Sequence, residues 1–105
     1  MIICFDVDGT LIDEQEQPVR EMVELANALY RAGERVYCWS GGGAVYARQA
    51  ADRVGLSPFI SCLAKDRVTP VGVPDLVIDD EEGWGRLQLI VRCGNGPTIL
   101  AEPAP

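Results

Sequence analysis

From Ile2 to Val7 every position but one is apolar, and the exception, Asp6, sits one residue before the run ends. A short, nearly unbroken apolar run suits a strand buried on both faces. Gly9 and Thr10 break it, and the acidic stretch from Asp13 to Gln17 belongs to solvent. Pro18 stands in the position that opens helices, and Val19, Met22, Val23, Leu25, Ala26, Leu29 and Tyr30 then recur near the helical period. This predicts a first helix from Val19 to Arg31 with Gly33 as its C-cap. A second strand is predicted from Arg35 to Trp39, ending in Ser40-Gly41-Gly42-Gly43, and a second helix from Ala44 to Val54, closed by Gly55. Ile60 to Leu63 reads as a third strand. Pro70, Gly72 and Pro74 make Lys65 to Pro74 a connection rather than a full helix. A fourth strand, Leu76 to Ile78, stops at Asp79-Asp80, and Gly83-Trp84-Gly85 turns the chain into a fifth, Leu87 to Val91.

Strands that alternate with helices imply an α/β fold, here a mainly parallel central sheet of about five strands with right-handed crossovers. Residues 1–93 form one unit in this reading, and Gly94 to Pro105 forms a tail of loop or weak edge structure. In such sheets ligands bind beyond the carboxyl ends of the strands. Asp6, Ser40 and Asp79 each end a predicted strand, so the pattern gathers them at one edge.

Composition narrows the function. The 105 residues suit a single domain, and 48% apolar with 24% charged residues is ordinary for a globular chain. A net charge of −7 with no basic run argues against a nucleic-acid backbone or an anionic membrane as partner. It is compatible with a phosphorylated substrate held through a metal ion and a few local cations. No apolar stretch approaches the roughly 20 residues of a membrane span. Met1 leads straight into Ile2-Ile3-Cys4-Phe5, which has neither the length nor the cleavage site of a secretory signal, so the expectation is a cytoplasmic protein. Cys4, Cys38, Cys62 and Cys93 lack C-x-x-C spacing and each sits in an apolar run, which reads as buried reduced thiols. The chain has no histidine. That removes Ser-His-Asp and Cys-His systems, phosphohistidine chemistry and His-ligated zinc, leaving carboxylates, hydroxyls, lysine and arginine.

Those groups fall in a consistent order: Asp6, Asp8, Thr10, Ser40, Lys65, Asp79 and Asp80. Clustered carboxylates raise one another's pKa unless a cation joins them. An oxygen-only donor set suits Mg²⁺. Asp6 and Asp79 are the natural inner ligands, with the Asp8 carbonyl a further donor and Asp80 in support. A carboxylate can also act as a nucleophile through an aspartyl-phosphate. Asp6 fits that part, and Asp8, two residues on, fits the general acid and base. Lys65, or Arg67 two residues on, would supply a cation for the moving phosphoryl group, with donors from Thr10, the Ser40 hydroxyl and the amides of Gly41 and Gly42.

This order of motifs resembles the haloacid dehalogenase superfamily. Asp6-Val7-Asp8-Gly9-Thr10 matches its first motif, Val36-Tyr37-Cys38-Trp39-Ser40 its second, Lys65 its third and Leu76-Val77-Ile78-Asp79-Asp80 its fourth. The resemblance implies a three-layer Rossmannoid core and an Mg²⁺-dependent phosphatase, with Asp6 as nucleophile and Asp8 as acid and base. It gives Ser40 and Lys65 to the phosphate and Asp79 to the metal. An aspartate two residues after the nucleophile marks the family's phosphatases and phosphotransferases. Neither the gap after Thr10 nor that from Ser40 to Lys65 can hold the usual cap domain, so the chain resembles a bare core. An open site implies a macromolecular phosphorylated substrate or a lid from a second copy of the chain.

Two rivals stand beside this reading. A catalytically silent core would bind metal or a partner without turnover. A phosphoacceptor receiver domain uses similar groups, but there the acidic pair comes first in the chain, and here it comes last.

Overall fold

The computed structural model describes residues 1–92 and 98–103. In chain order its elements are β1 (Ile2–Asp6), α1 (Arg20–Arg31), β2 (Arg35–Ser40), α2 (Ala44–Val54), β3 (Ser61–Ala64), β4 (Leu76–Asp79), β5 (Leu87–Arg92) and β6 (Thr98–Pro103). They build one sheet in the order β3-β2-β1-β4-β5-β6. Five strands run parallel, and β6 closes the far edge antiparallel to β5. The fold is α/β and Rossmann-like, with β1 at the centre. Cys93, residues 94–97 and residues 104–105 lie outside the described residues, so the expectations for that cysteine and those parts of the tail do too.

Local chemistry explains where the elements begin. Helix α1 starts one residue later than the apolar period suggests. Pro18 is paired with Ile12 in an isolated bridge, and the Val19 N–H donates to the Leu11 carbonyl, which holds Val19 extended as the N-cap. Strand β3 starts at Ser61 because the Ile60 N–H closes a turn onto Ser57. Gly55 ends α2 in the left-handed conformation, φ 85°, which costs a glycine little.

The strands alternate between two apolar layers. Ile3, Phe5, Val36, Cys38 and Ile78 face one side and pack against Met22, Val23 and Ala26 of α1 and Ala47, Ala50, Ala51 and Val54 of α2. Cys4, Trp39 and Val77 face the other side with Ile2, Tyr37, Leu63 and Trp84, and no residue of either helix joins them. Both helices therefore cover one face. The third layer consists of loop segments, 65–75 and 80–86. The Arg67 guanidinium ties them together by donating to the Gly83 carbonyl at 3.1 Å. Gly85 adopts φ 75°, and a Cβ there would lie 2.6 Å from Val77 Cγ2, so glycine lets the second segment lie flat on the sheet.

The described cysteines are unpaired thiols. Cys4 and Cys38 are buried, as expected of core thiols, and burial pushes Cys4 up to about 12. Cys62 is half-buried and opposite Cys38 in the β2–β3 register. The Cys38 thiol donates to the Ala47 carbonyl and that of Cys62 to the Ile60 carbonyl, and the interaction between the neighbouring thiols holds Cys38 up and draws Cys62 down to about 7.

Candidate active site

The carboxyl ends of β1, β2, β3 and β4 open onto a cleft of about 660 Å³. Asp6 ends β1 and Asp79 ends β4, and both are buried where an unpaired carboxylate would be costly. Lys65 follows β3. Its backbone N–H donates to the Ser40 carbonyl at 2.9 Å, which continues the β2–β3 ladder by one residue and fixes where the side chain departs. The Lys65 side chain is 6% exposed, with Nζ 2.7 Å from Asp79 Oδ2 and 3.4 Å from Asp6 Oδ1. Glu81 adds a more distant carboxylate at 4.0 Å. The ring of Trp84 lies beneath the ammonium, 4.6 Å from Nζ to the centroid, an arrangement that attracts a cation.

Asp6, Asp79 and Asp80 each place a carboxylate oxygen within 4.8 Å of the other two. One ammonium does not balance three carboxylates. Burial first, then the charge of Asp79, pushes Asp6 up to about 8, although Lys65 pulls the other way. Asp80 is raised too, by burial first, then by its hydrogen bond with Asp79 and by the charge of that residue. Burial alone would lower Lys65, but the close Asp79 carboxylate, with Asp6 and Glu81, raises it above its ordinary value. The cluster is short of positive charge at neutral pH. Its donors are all hard oxygens, so these residues fit a small divalent cation such as Mg²⁺.

The turn after β1 is packed against this cluster. Gly9 has φ 81°, and a Cβ there would fall 2.2 Å from Asp80 Oδ2, so only glycine admits the Asp80 carboxylate over the turn. Asp8 stands outside the three-carboxylate cluster and is exposed on the cleft wall, where Tyr46 of α2 donates a hydrogen bond to its Oδ1 at 2.8 Å. The segment Asp13–Gln17 forms a rim on the same side. Asp13 caps it by accepting from the Gln15 and Gln17 amides, and Asp13, Glu14 and Glu16 all line the cleft.

The expected phosphate donors divide. Ser40 is buried, and its Oγ accepts from the Gly42 N–H at 3.0 Å rather than capping α2, whose N-cap is Gly43. The Gly43 N–H is used on the Ser40 carbonyl. Gly41 and Gly42 line the cleft, and the Gly41 N–H is the amide of that run with no partner among the described residues. Thr10 is fully buried under the turn and does not line the cleft; its Oγ1 has no hydrogen-bond partner among the described residues. Arg67, close to Lys65 in sequence, points instead to Gly83 and the far side of Trp84. Arg48 is held by Asp52 and the Ile60 carbonyl, away from the cleft.

Three residues join the site that the sequence pattern did not single out for it: Tyr46, Trp84 and Gln88. Gln88 is buried; its Oε1 accepts from the Trp84 N–H at 3.1 Å and its Nε2 donates to the Glu81 carbonyl. It therefore sets the segment carrying both. The available signal was a polar residue inside an apolar strand, the same signal that marks Asp6. No family model, curated protein or solved structure matches the chain.

Proposed function

We propose that the chain is an Mg²⁺-dependent phosphohydrolase acting on phosphomonoesters through a phosphorylated Asp6, in the manner of a capless haloacid dehalogenase-type core. The observation that carries this reading is the convergence of Asp6, Asp79, Asp80 and Lys65 at one sheet edge, with Asp8 held on the wall beside them. Asp6, Asp79 and Asp80 would hold the metal, which when bound supplies the positive charge that the cluster lacks and that phosphate oxygens require.

A carboxylate oxygen of Asp6 forms a bond to phosphorus as the bond to the ester oxygen breaks. Asp8 gives that oxygen a proton, so the alcohol leaves neutral. Asp8 then takes a proton from water, whose oxygen attacks the same phosphorus. The bond from phosphorus to Asp6 breaks, inorganic phosphate leaves and both carboxylates return to their starting state. Lys65 and the Gly41 N–H are placed to meet the phosphoryl oxygens. Tyr46 keeps Asp8 on the cleft wall while its proton moves.

The test is phosphate release over sugar phosphates, nucleotides, an aryl phosphate, phosphopeptides and phosphorylated oligonucleotide ends, with and without Mg²⁺. Release that needs Mg²⁺ and falls at least 1,000-fold in Asp6→Asn is the expected result; the size follows from losing a covalent nucleophile, worth roughly 4 kcal/mol or more of barrier. One observation favours a second reading. Lys65 sits 2.7 Å from Asp79, where it serves as an internal counter-ion for the acidic cluster. A silent core of that kind would bind Mg²⁺ and release no phosphate from any member of the panel.

A further inference from the structure

The helix-free face of the sheet carries a second cavity, of about 300 Å³, between the two loop segments that cover it. Trp39 and Trp84 line it in edge-to-face contact, ring centroids 5.7 Å apart, with Val73 and Pro74 beside them. Arg67 and Arg86 also line it, and among the described residues no carboxylate does. The contrast with the first cleft is large. Among the described residues seven carboxylates line that cleft and one lysine answers them, whereas this cavity holds two guanidinium groups in a chain of net charge −7. Neither arginine pairs with a carboxylate among the described residues, and both are exposed. The Trp39 indole is wholly buried beneath it, and its Nε1–H has no acceptor among the described residues.

The geometry points to a binding site for a small aromatic anion, a planar ring bearing a carboxylate or a phosphate. Each part of the ligand answers a feature of the cavity. The half-buried Trp84 indole and Val73 suit the ring, and the guanidinium groups of Arg86 and of Arg67, which keeps donors beyond the one given to Gly83, suit a planar or tetrahedral anion, which arginine binds through paired N–H donors. A volume of this size is at the lower end for small-molecule sites, which excludes an extended peptide. The site is separate from the acidic cleft, with Trp84 as the wall between them, and does not depend on what the cleft catalyses.

The chain has two tryptophans and both line this cavity, so intrinsic fluorescence responds to its occupancy; because Trp84 also borders the acidic cleft, the arginine variants assign the response. The full chain is titrated in chelator with benzoate, phenyl phosphate and neutral benzyl alcohol. Arg86→Gln and Arg67→Gln are titrated alongside, with folding verified by circular dichroism. The expected result is saturable quenching by benzoate or phenyl phosphate, none by benzyl alcohol, and affinity about tenfold weaker in each variant, the loss of one charge-assisted hydrogen bond. Comparing the two anions tells carboxylate from phosphate. An equal response to benzyl alcohol, affinity unchanged in both folded variants, or no saturable response to either anion overturns the assignment.

Discussion

Tyr46 reaches from α2 to Asp8 with a hydrogen bond of 2.8 Å and restrains a carboxylate otherwise exposed on the cleft wall. A hydrogen bond to a charged group contributes about 1.5–3 kcal/mol, so Tyr46→Phe should lower kcat/KM by about tenfold or more and leave the melting temperature nearly unchanged. Steady-state kinetics on the best substrate of the panel, beside thermal unfolding, checks both parts. Asp6 makes a pH prediction. Its folded pKa, about 8, lies above its ordinary 3.8. Its contribution to stability is therefore fully present below about pH 4 and is lost as pH rises through 8. In chelator the wild type should melt at lower temperature at pH 9 than at pH 5. Asp6→Asn, which cannot ionise, should be the more stable protein at pH 9 by on the order of 2 kcal/mol, with the gap closing toward pH 5. Circular-dichroism melts of the two proteins at both pH values decide it.

Among the elements, the segment 80–86 depends most on a single residue. Gly85 combines φ 75° with a Cβ position 2.6 Å from the buried Val77 side chain. Gly85→Ala should cost about 2 kcal/mol from backbone strain and overpacking, and should alter tryptophan emission because Trp84 is its neighbour. A denaturant titration followed by fluorescence measures both. At this scale the sequence was largely readable. The apolar runs located β1 to β5, and the Gly and Pro punctuation of 65–74 correctly denied that stretch a helix. The start of α1 was missed by a residue because Pro18 is used in a bridge to Ile12, a long-range pairing that helical periodicity does not register. Within the site, strand ends brought Asp6, Ser40 and Asp79 to one edge as expected, and Lys65, one residue past β3, joins them there. What the sequence could not show was direction: that Ser40 Oγ turns inward to Gly42, that Thr10 is buried below the turn, and that Tyr46 and Trp84 arrive from elements distant in the chain.

For the molecule as a whole, a neutralising cation should be felt in global stability. Three carboxylates drawn from β1 and the end of β4 are held together against their own repulsion. A ligand of the folded state at a hundred times its dissociation constant adds about 2.7 kcal/mol. For a chain of this size that is about 10 °C in melting temperature. Saturating Mg²⁺ should therefore raise the melting temperature by about that amount, and Asp79→Asn should abolish most of the rise; scanning calorimetry across an Mg²⁺ series measures it. No described helix is long and apolar enough to cross a membrane.

The central position of β1 has a further consequence, in the order of events during folding. Its first residue pairs with Asp75, 73 positions later, while β2 joins its other side much sooner. Closing so long a loop is slow, and on a ribosome it must wait until β4 has been synthesised. Until then the edge of β1 that will meet β4 stays unpaired, with the charge of Asp6 at its end. That aspartate thus acts as a guard against premature strand pairing before any partner for it exists, and chains stalled between Lys65 and Leu76 should be the species most prone to aggregate.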